Sequence, residues 1–155
     1  EIMDLKTLLQ RFISHRFEVI TRRTRFDLEK AEARAHILEG LKIAIDNLDA
    51  VVKVIRGSKS REEAKLQLMR QFRLSEIQAN AILDMRLYQL TGLERDKLEA
   101  EYLEVIKLIS YLRDLLATRS KIYWLIKEEL MQVKGVGARK AEDLGEQFLE
   151  AIRSG

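Results

Sequence analysis

Residues 98–116 read LEAEYLEVIKLISYLRDLL, and this stretch decides the fold. Apolar residues recur at Leu98, Tyr102, Val105, Ile109, Leu112 and Leu116 in steps that alternate four and three. The series continues through Tyr123, Ile126, Leu130 and Val133, with Arg119 as its single interruption. Such steps keep side chains on one face of an α-helix, and repetition over several heptads marks the seam of a coiled coil. The spacing therefore predicts a long helix over 94–133.

Working outward, the N-terminal third carries its own seven-residue series, Leu5, Phe12, Val19, Phe26 and Ala33, widened by Ile13 and Ile20. Further on, Ala31, Leu38 and Ile45 form a second series beside Leu41 and Leu48. A helix from about Leu5 to Leu48 is expected, roughly 60 Å long at 1.5 Å per residue. The coiled-coil seam is thus assigned to Phe12, Val19 and Phe26 on the first helix and to Leu98, Tyr102, Val105, Ile109, Leu112 and Leu116 on the second.

Between these helices the punctuation is local. Gly57 reads as a stop, and Ser60 with Glu63, Ser75 with Gln78, and Thr91 with Glu94 all show the three-residue spacing of a capping box. They predict short helices over 61–72 and 76–90 and the start of the return helix. The 76–90 helix carries two apolar stripes, Ile77, Ala81, Met85 and Tyr88 on one side and Ala79, Leu83, Leu87 and Leu90 on the other, with Ile82 between. One buried face needs one stripe. Either the tip buries both in its own core, or a partner subunit covers the second.

Composition agrees with an all-α chain. Its 155 residues include no Pro, no Cys and 7 Gly, with 46% hydrophobic and 34% charged residues. Absence of cysteine excludes a disulfide framework, a zinc ribbon and a thiol nucleophile, and His15 and His36 are too few for a histidine-rich metal site. No apolar run reaches the roughly 18 residues of a membrane span, and Glu1, Asp4 and Lys6 occupy the place of a signal peptide's apolar core. A soluble, cytoplasmic protein is the expectation. The net charge of +3 is small, so any nucleic-acid contact has to come from local patches.

Two blocks carry a family resemblance. His15-Arg16-Phe17-Glu18-Val19-Ile20-Thr21-Arg22-Arg23-Thr24, followed by Lys30-Ala31 and Arg34-Ala35-His36-Ile37-Leu38-Glu39-Gly40-Leu41, closely resembles the breakage-reunion subunit of bacterial type IIA DNA topoisomerases, the A subunits of DNA gyrase and topoisomerase IV. Gln78-Ala79-Asn80-Ala81-Ile82-Leu83-Asp84-Met85-Arg86-Leu87, then Leu90-Thr91-Gly92-Leu93-Glu94 and Glu101-Tyr102, extend it over about residues 5–133. The resemblance implies two long antiparallel helices ending in a dimerisation knob, the exit gate or C-gate, through which a transported duplex leaves. The divisions expected are an ascending coiled-coil helix, 1–48, a globular tip, 49–93, a returning helix, 94–133, and a divergent or grafted helical tail, 134–155. Implied partners are a second copy of the chain, forming a homodimer, and, in the full ATP-dependent enzyme, DNA and the ATPase (B-type) subunit. Ile77, Ala81, Ile82, Met85 and Tyr88 are assigned to the symmetric dimer contact.

No catalytic residue is expected in this stretch. The family's nucleophilic tyrosine follows an arginine, whereas Tyr88, Tyr102, Tyr111 and Tyr123 follow Leu, Glu, Ser and Ile. No cofactor or metal is expected either; Asp46 and Asp49 read as a helix-end pair. From Lys134 the chain departs from the family and resembles the end of a helicase and RNase D C-terminal (HRDC) module, with a helix-hairpin-helix pattern around Gly135 and Gly137. Glycines let backbone amides approach a phosphate, so Gly135, Gly137, Arg139 and Lys140 are candidate DNA phosphate contacts, and with them comes an alternative function as a non-specific DNA-binding adaptor. Residues 11–34 hold seven basic and four acidic side chains. Arg22 and Arg23 there read either as phosphate contacts or as a solvated flank with internal pairs such as Glu18 with Arg22.

Overall fold

The computed structural model describes residues 4–132. It is all-α among these residues: α1 (Leu5–Asp46), α2 (Leu48–Gly57), α3 (Arg61–Phe72), α4 (Glu76–Leu83), a short 3-10 helix (Leu87–Leu90), α5 (Gly92–Ala117) and α6 (Arg119–Met131). Residues 133–155, the expected tail, lie outside the described part. Two compact units divide the chain, one built from residues up to Leu28 and from Tyr111 onward, the other from Glu29–Ser110.

Local chemistry explains the boundaries. Asp4 caps α1, its carboxylate accepting the Thr7 amide at 2.7 Å. A hydrogen bond from the Thr7 side chain first, and then this one from its amide, hold the Asp4 carboxyl below the usual aspartate range. Asn47 alone separates α1 from α2, and its side-chain amide donates back to the Ile43 carbonyl at 2.9 Å, the local competition that makes asparagine a helix interrupter. The three expected caps are present: Ser60 accepts from the Glu63 amide at 3.2 Å, Ser75 from Gln78 at 3.2 Å and Thr91 from Glu94 at 3.4 Å. Phe72 ends α3, and the following Arg73 adopts a left-handed conformation at φ 54°. That is a common helix stop, though glycine fills it more often.

Two expected helices are interrupted. The 76–90 helix stops at Leu83, where the Met85 amide tightens onto the Ile82 carbonyl at 3.2 Å. The Gln89 side chain then accepts the Arg86 amide at 2.7 Å and opens the 3-10 turn. The 94–133 helix is broken at Thr118, which is extended at φ −119°, ψ 97°. Lys121 forms an ion pair with Asp114 across this break. Leu115 and Ile122, seven residues apart and each one position before the expected seam residues Leu116 and Tyr123, are buried in one core cluster, so around the break the core follows a line beside the expected one.

In the first unit, Leu115, Ile122 and Ile126 are buried, and Ile13, Phe17 and Ile20 of α1 pack on them. Phe17 and Tyr123 stack with ring centroids 5.0 Å apart, Arg119 lies over the Phe17 ring at 5.4 Å, and Arg16 pairs with Glu129 at 2.5 Å. The core-facing stripe of α1 here is therefore the partly buried Ile13, Phe17 and Ile20 with the buried Thr24. The expected seam residues Phe12 and Phe26 are instead 44% and 59% exposed, and Val19 is half-buried. A strict seven-residue count follows one line of the helix surface, but the core follows the 13-17-20-24 line about a third of a turn away, since successive residues advance about 100°. In the second unit, Ala31, Ala35 and Leu38 of α1 and Ile109 of α5 are buried. Leu98, Tyr102 and Val105 are half-buried there, whereas Leu112 (buried) and Leu116 (half-buried) belong to the first unit. Arg34 with Glu101 at 2.6 Å and Arg95 with Asp46 at 3.0 Å pair α1 with α5 in antiparallel order.

Candidate functional site

The second unit holds the site. Its core gathers Ala44 of α1, Val51 of α2, Leu68 of α3, Leu74, and Ala79 and Ile82 of α4. A polar joint fastens α4 to α1 beside it. Gln78 is buried; its amide nitrogen donates to the His36 carbonyl at 2.7 Å. Its carbonyl oxygen accepts the Ser75 amide at 3.0 Å, and Ser75 Oγ stands 2.7 Å from His36 Nε2. Close approach makes this joint possible. A Cβ on Gly40 would lie 2.7 Å from both Cβ and Cγ of Gln78, so glycine is the residue that lets the amide lie on α1. On the far side, Lys65 of α3 reaches Glu62 at 2.8 Å and Glu76 of α4 at 3.1 Å. Hydrogen bonds to both carboxylates raise the lysine's pKa.

Outside that core lies an apolar groove of about 220 Å³, formed by α2 and the segment from Ile82 to Leu90. Its walls are Leu48, Val51, Val52, Ile55, Met85, Leu87 and Leu90, with Arg56 and Arg86 also lining it. Around it the surface stays apolar: Val52 is 39%, Ile55 37%, Tyr88 56% and Leu87 86% exposed. Leu87 at that exposure stands near other exposed apolar side chains in sequence. A second cleft, between α1 and α5, contains Arg34, Glu94, Lys97 and Glu101, whose charges already pair as Arg34 with Glu101 and Lys97 with Glu94.

The residues assigned to the dimer contact separate in this geometry. Ile82 is 4% exposed and belongs to the tip's own core, while also lining the floor of the groove. Ala81 and Met85 are half-buried, and Met85 walls the groove; Ile77, 61% exposed, does not line it. Sequence reasoning missed α2: Val52 and Ile55, three residues apart, are the signal that could have found it. Arg22 and Arg23 are exposed on α1 and face Glu18 at 2.7 Å and Asp27 at 4.0 Å. Gly135, Gly137, Arg139 and Lys140 lie outside the described residues. Among the described residues no group of three or more metal-ligating side chains is assembled, and no described helix is long and apolar enough to cross a membrane.

Residues 1–131 match the family of DNA gyrase and topoisomerase IV A subunits. The chain belongs to that family. It is 57% identical over 134 residues to the DNA gyrase A subunit of Clostridium acetobutylicum. To the DNA gyrase A subunits of Streptococcus pneumoniae and Halalkalibacterium halodurans it is 54% identical over the same length. In each case the match covers 86% of this chain and 16% of the relative. The chain thus spans about a sixth of the length of these gyrase subunits, and its all-α build is that of a type IIA topoisomerase A-subunit segment.

Proposed function

We propose that this segment joins two A subunits: residues 49–93 form the exit-gate tip, and residues 1–48 and 94–133 are the coiled-coil arm that carries it. The single observation behind this reading is the apolar surface around Val52, Ile55 and Leu87. The tip already has a closed core of its own, so these side chains are surplus to its folding and suit a self-complementary contact. In the full enzyme, acting with DNA and the ATPase-bearing B-type subunit, the gate stays shut while the double strand is cleaved and opens to release the transported duplex. The segment itself acts by association, and the double-strand passage that uses ATP belongs to the whole enzyme.

Sedimentation equilibrium over a range of concentrations, with circular dichroism on the same sample, tests it. A helical dimer that becomes a helical monomer on Leu87→Asp is the expected result. A wild-type chain that is helical yet monomeric at every concentration refutes the gate reading.

A further inference from the structure

We propose that the C-terminal segment 141–152 docks along the exposed apolar line of α1, as a third helix of the first unit. The proposal is independent of the gate reading. The first half of α1 carries two apolar lines. Ile13, Phe17 and Ile20 face the core of Leu115, Ile122 and Ile126. Leu8, Phe12 and Phe26 are instead 54%, 44% and 59% exposed, with half-buried Val19 on the same line. One neighbouring helix covers one line, so a second line about a third of a turn away suits a second neighbour.

The chain supplies a segment of matching pattern. In residues 141–152, AEDLGEQFLEAI, Ala141, Leu144, Phe148 and Ala151 recur in steps of three, four and three, the spacing of a helical seam. Isolated helices this short are marginal in water, and Gly145 weakens one further, so the segment needs a surface to order it. Its charged residues, Glu142, Asp143, Glu146 and Glu150, are all acidic. On α1, exposed Arg22 and Arg23 follow Val19 by three and four residues and flank the line. Their partners Glu18 and Asp27 lie on the same helix, and exposed pairs of this kind hold weakly, leaving both cations open to a second carboxylate. Reach and length agree as well. The Arg16–Glu129 pair sets the last turn of α6 beside the Phe12 end of α1. Residues 133–140, with Gly135 and Gly137, can extend to about 28 Å, well beyond the roughly 10 Å between packed helix axes. A helix over 141–152 runs about 18 Å and the line from Phe12 to Phe26 about 21 Å.

The chain has no cysteine, so engineered pairs report proximity without background. In the full chain, Val19→Cys with Phe148→Cys should close an intramolecular disulfide at least about tenfold faster than Ser14→Cys with Phe148→Cys, because docking raises the local concentration on one side of α1 only. Ser14 is exposed and points away from the line. Hydrogen exchange gives a second readout. Amides of 141–152 should be protected in the wild type and lose at least about tenfold in protection on Phe12→Asp, while the Ile122 and Ile126 amides stay protected. Equal closure rates at Val19 and Ser14, bridges that form only between chains, or protection of 141–152 indifferent to Phe12→Asp overturns the proposal. Protection that appears only on adding duplex DNA overturns it too, in favour of the tail as a DNA contact.

Discussion

Replacing Gly40 by alanine should weaken the second unit, although the same change in an open helix strengthens it. Gly40 lies inside α1, where alanine gains about 1 kcal/mol over glycine. Here the new Cβ would sit 2.7 Å from Cβ and Cγ of Gln78, and those atoms are the root of the side chain, which cannot swing aside without taking its amide along. Forcing a methyl into such a contact costs about 1–3 kcal/mol. Displacing the amide leaves the His36 carbonyl and the Ser75 amide without their 2.7 Å and 3.0 Å partners, at about 1–3 kcal/mol more. The net expectation for Gly40→Ala is a loss of about 1–5 kcal/mol, worth about 2–20 °C in melting temperature for a chain of this length. Urea denaturation followed at 222 nm, at fixed protein concentration, measures it. Adding Gln78→Gly, which removes both Cβ and Cγ, should make the Gly40→Ala step less costly than in the wild type, because the collision is gone. A Gly40→Ala chain that melts higher than wild type, or a double variant whose losses simply add, would refute the proposed close approach.

In the first unit, Ile126 is fully buried beside Leu115 and Ile122, so Ile126→Ala should cost about 2–5 kcal/mol, read from denaturation followed by Trp124, the chain's single tryptophan. Arg16→Met should change stability by no more than about 1 kcal/mol, since both partners of the Arg16–Glu129 pair are partly exposed; a larger loss in a urea titration would show that the arginine stem packs as well as pairs. The hydrogen bond from Lys65, ahead of its charge, holds the Glu62 carboxyl below the usual glutamate range. Its contribution to stability is therefore present above the ordinary glutamate pKa and fades as pH falls through the lower folded value. Carboxyl NMR titration should place Glu62 below an ordinary glutamate, and Lys65→Met should return it to the ordinary range.

The helical build was legible because helix periodicity and the three Ser/Thr caps are local statements, each settled within four residues. Misassignments arose where local pattern met packing. The Phe12, Val19, Phe26 line is as regular as any in the chain, yet only neighbouring Ile13, Phe17 and Ile20 find a core to enter. Periodicity tells which residues share a face, not which of two apolar faces the core will choose. The 76–90 stretch failed differently: the Gln89 side chain, accepting the Arg86 amide, competes with helix continuation and turns Leu87 and Tyr88 outward. One helix through residue 90 would set Ile82 between two stripes, as a contact residue; a helix ending at Leu83 sets it in the core. The joint of Gly40, His36 and Gln78 was not legible at all, because its partners are about forty residues apart in sequence.

The caps at Ser60 and Ser75 have a consequence for speed. Each closes a loop of only three residues, and in the tip α2 meets α3 and α3 meets α4, neighbours in sequence. Contacts of such short range form early and with little loop entropy to overcome, which places helical segments of this kind among the fast folders, in microseconds to milliseconds. Encounter of two chains at micromolar concentration, with association rate constants of about 10⁵–10⁷ M⁻¹s⁻¹, takes far longer. The tip would thus be finished before it meets a second copy, and assembly would join completed surfaces at a rate set by chain concentration.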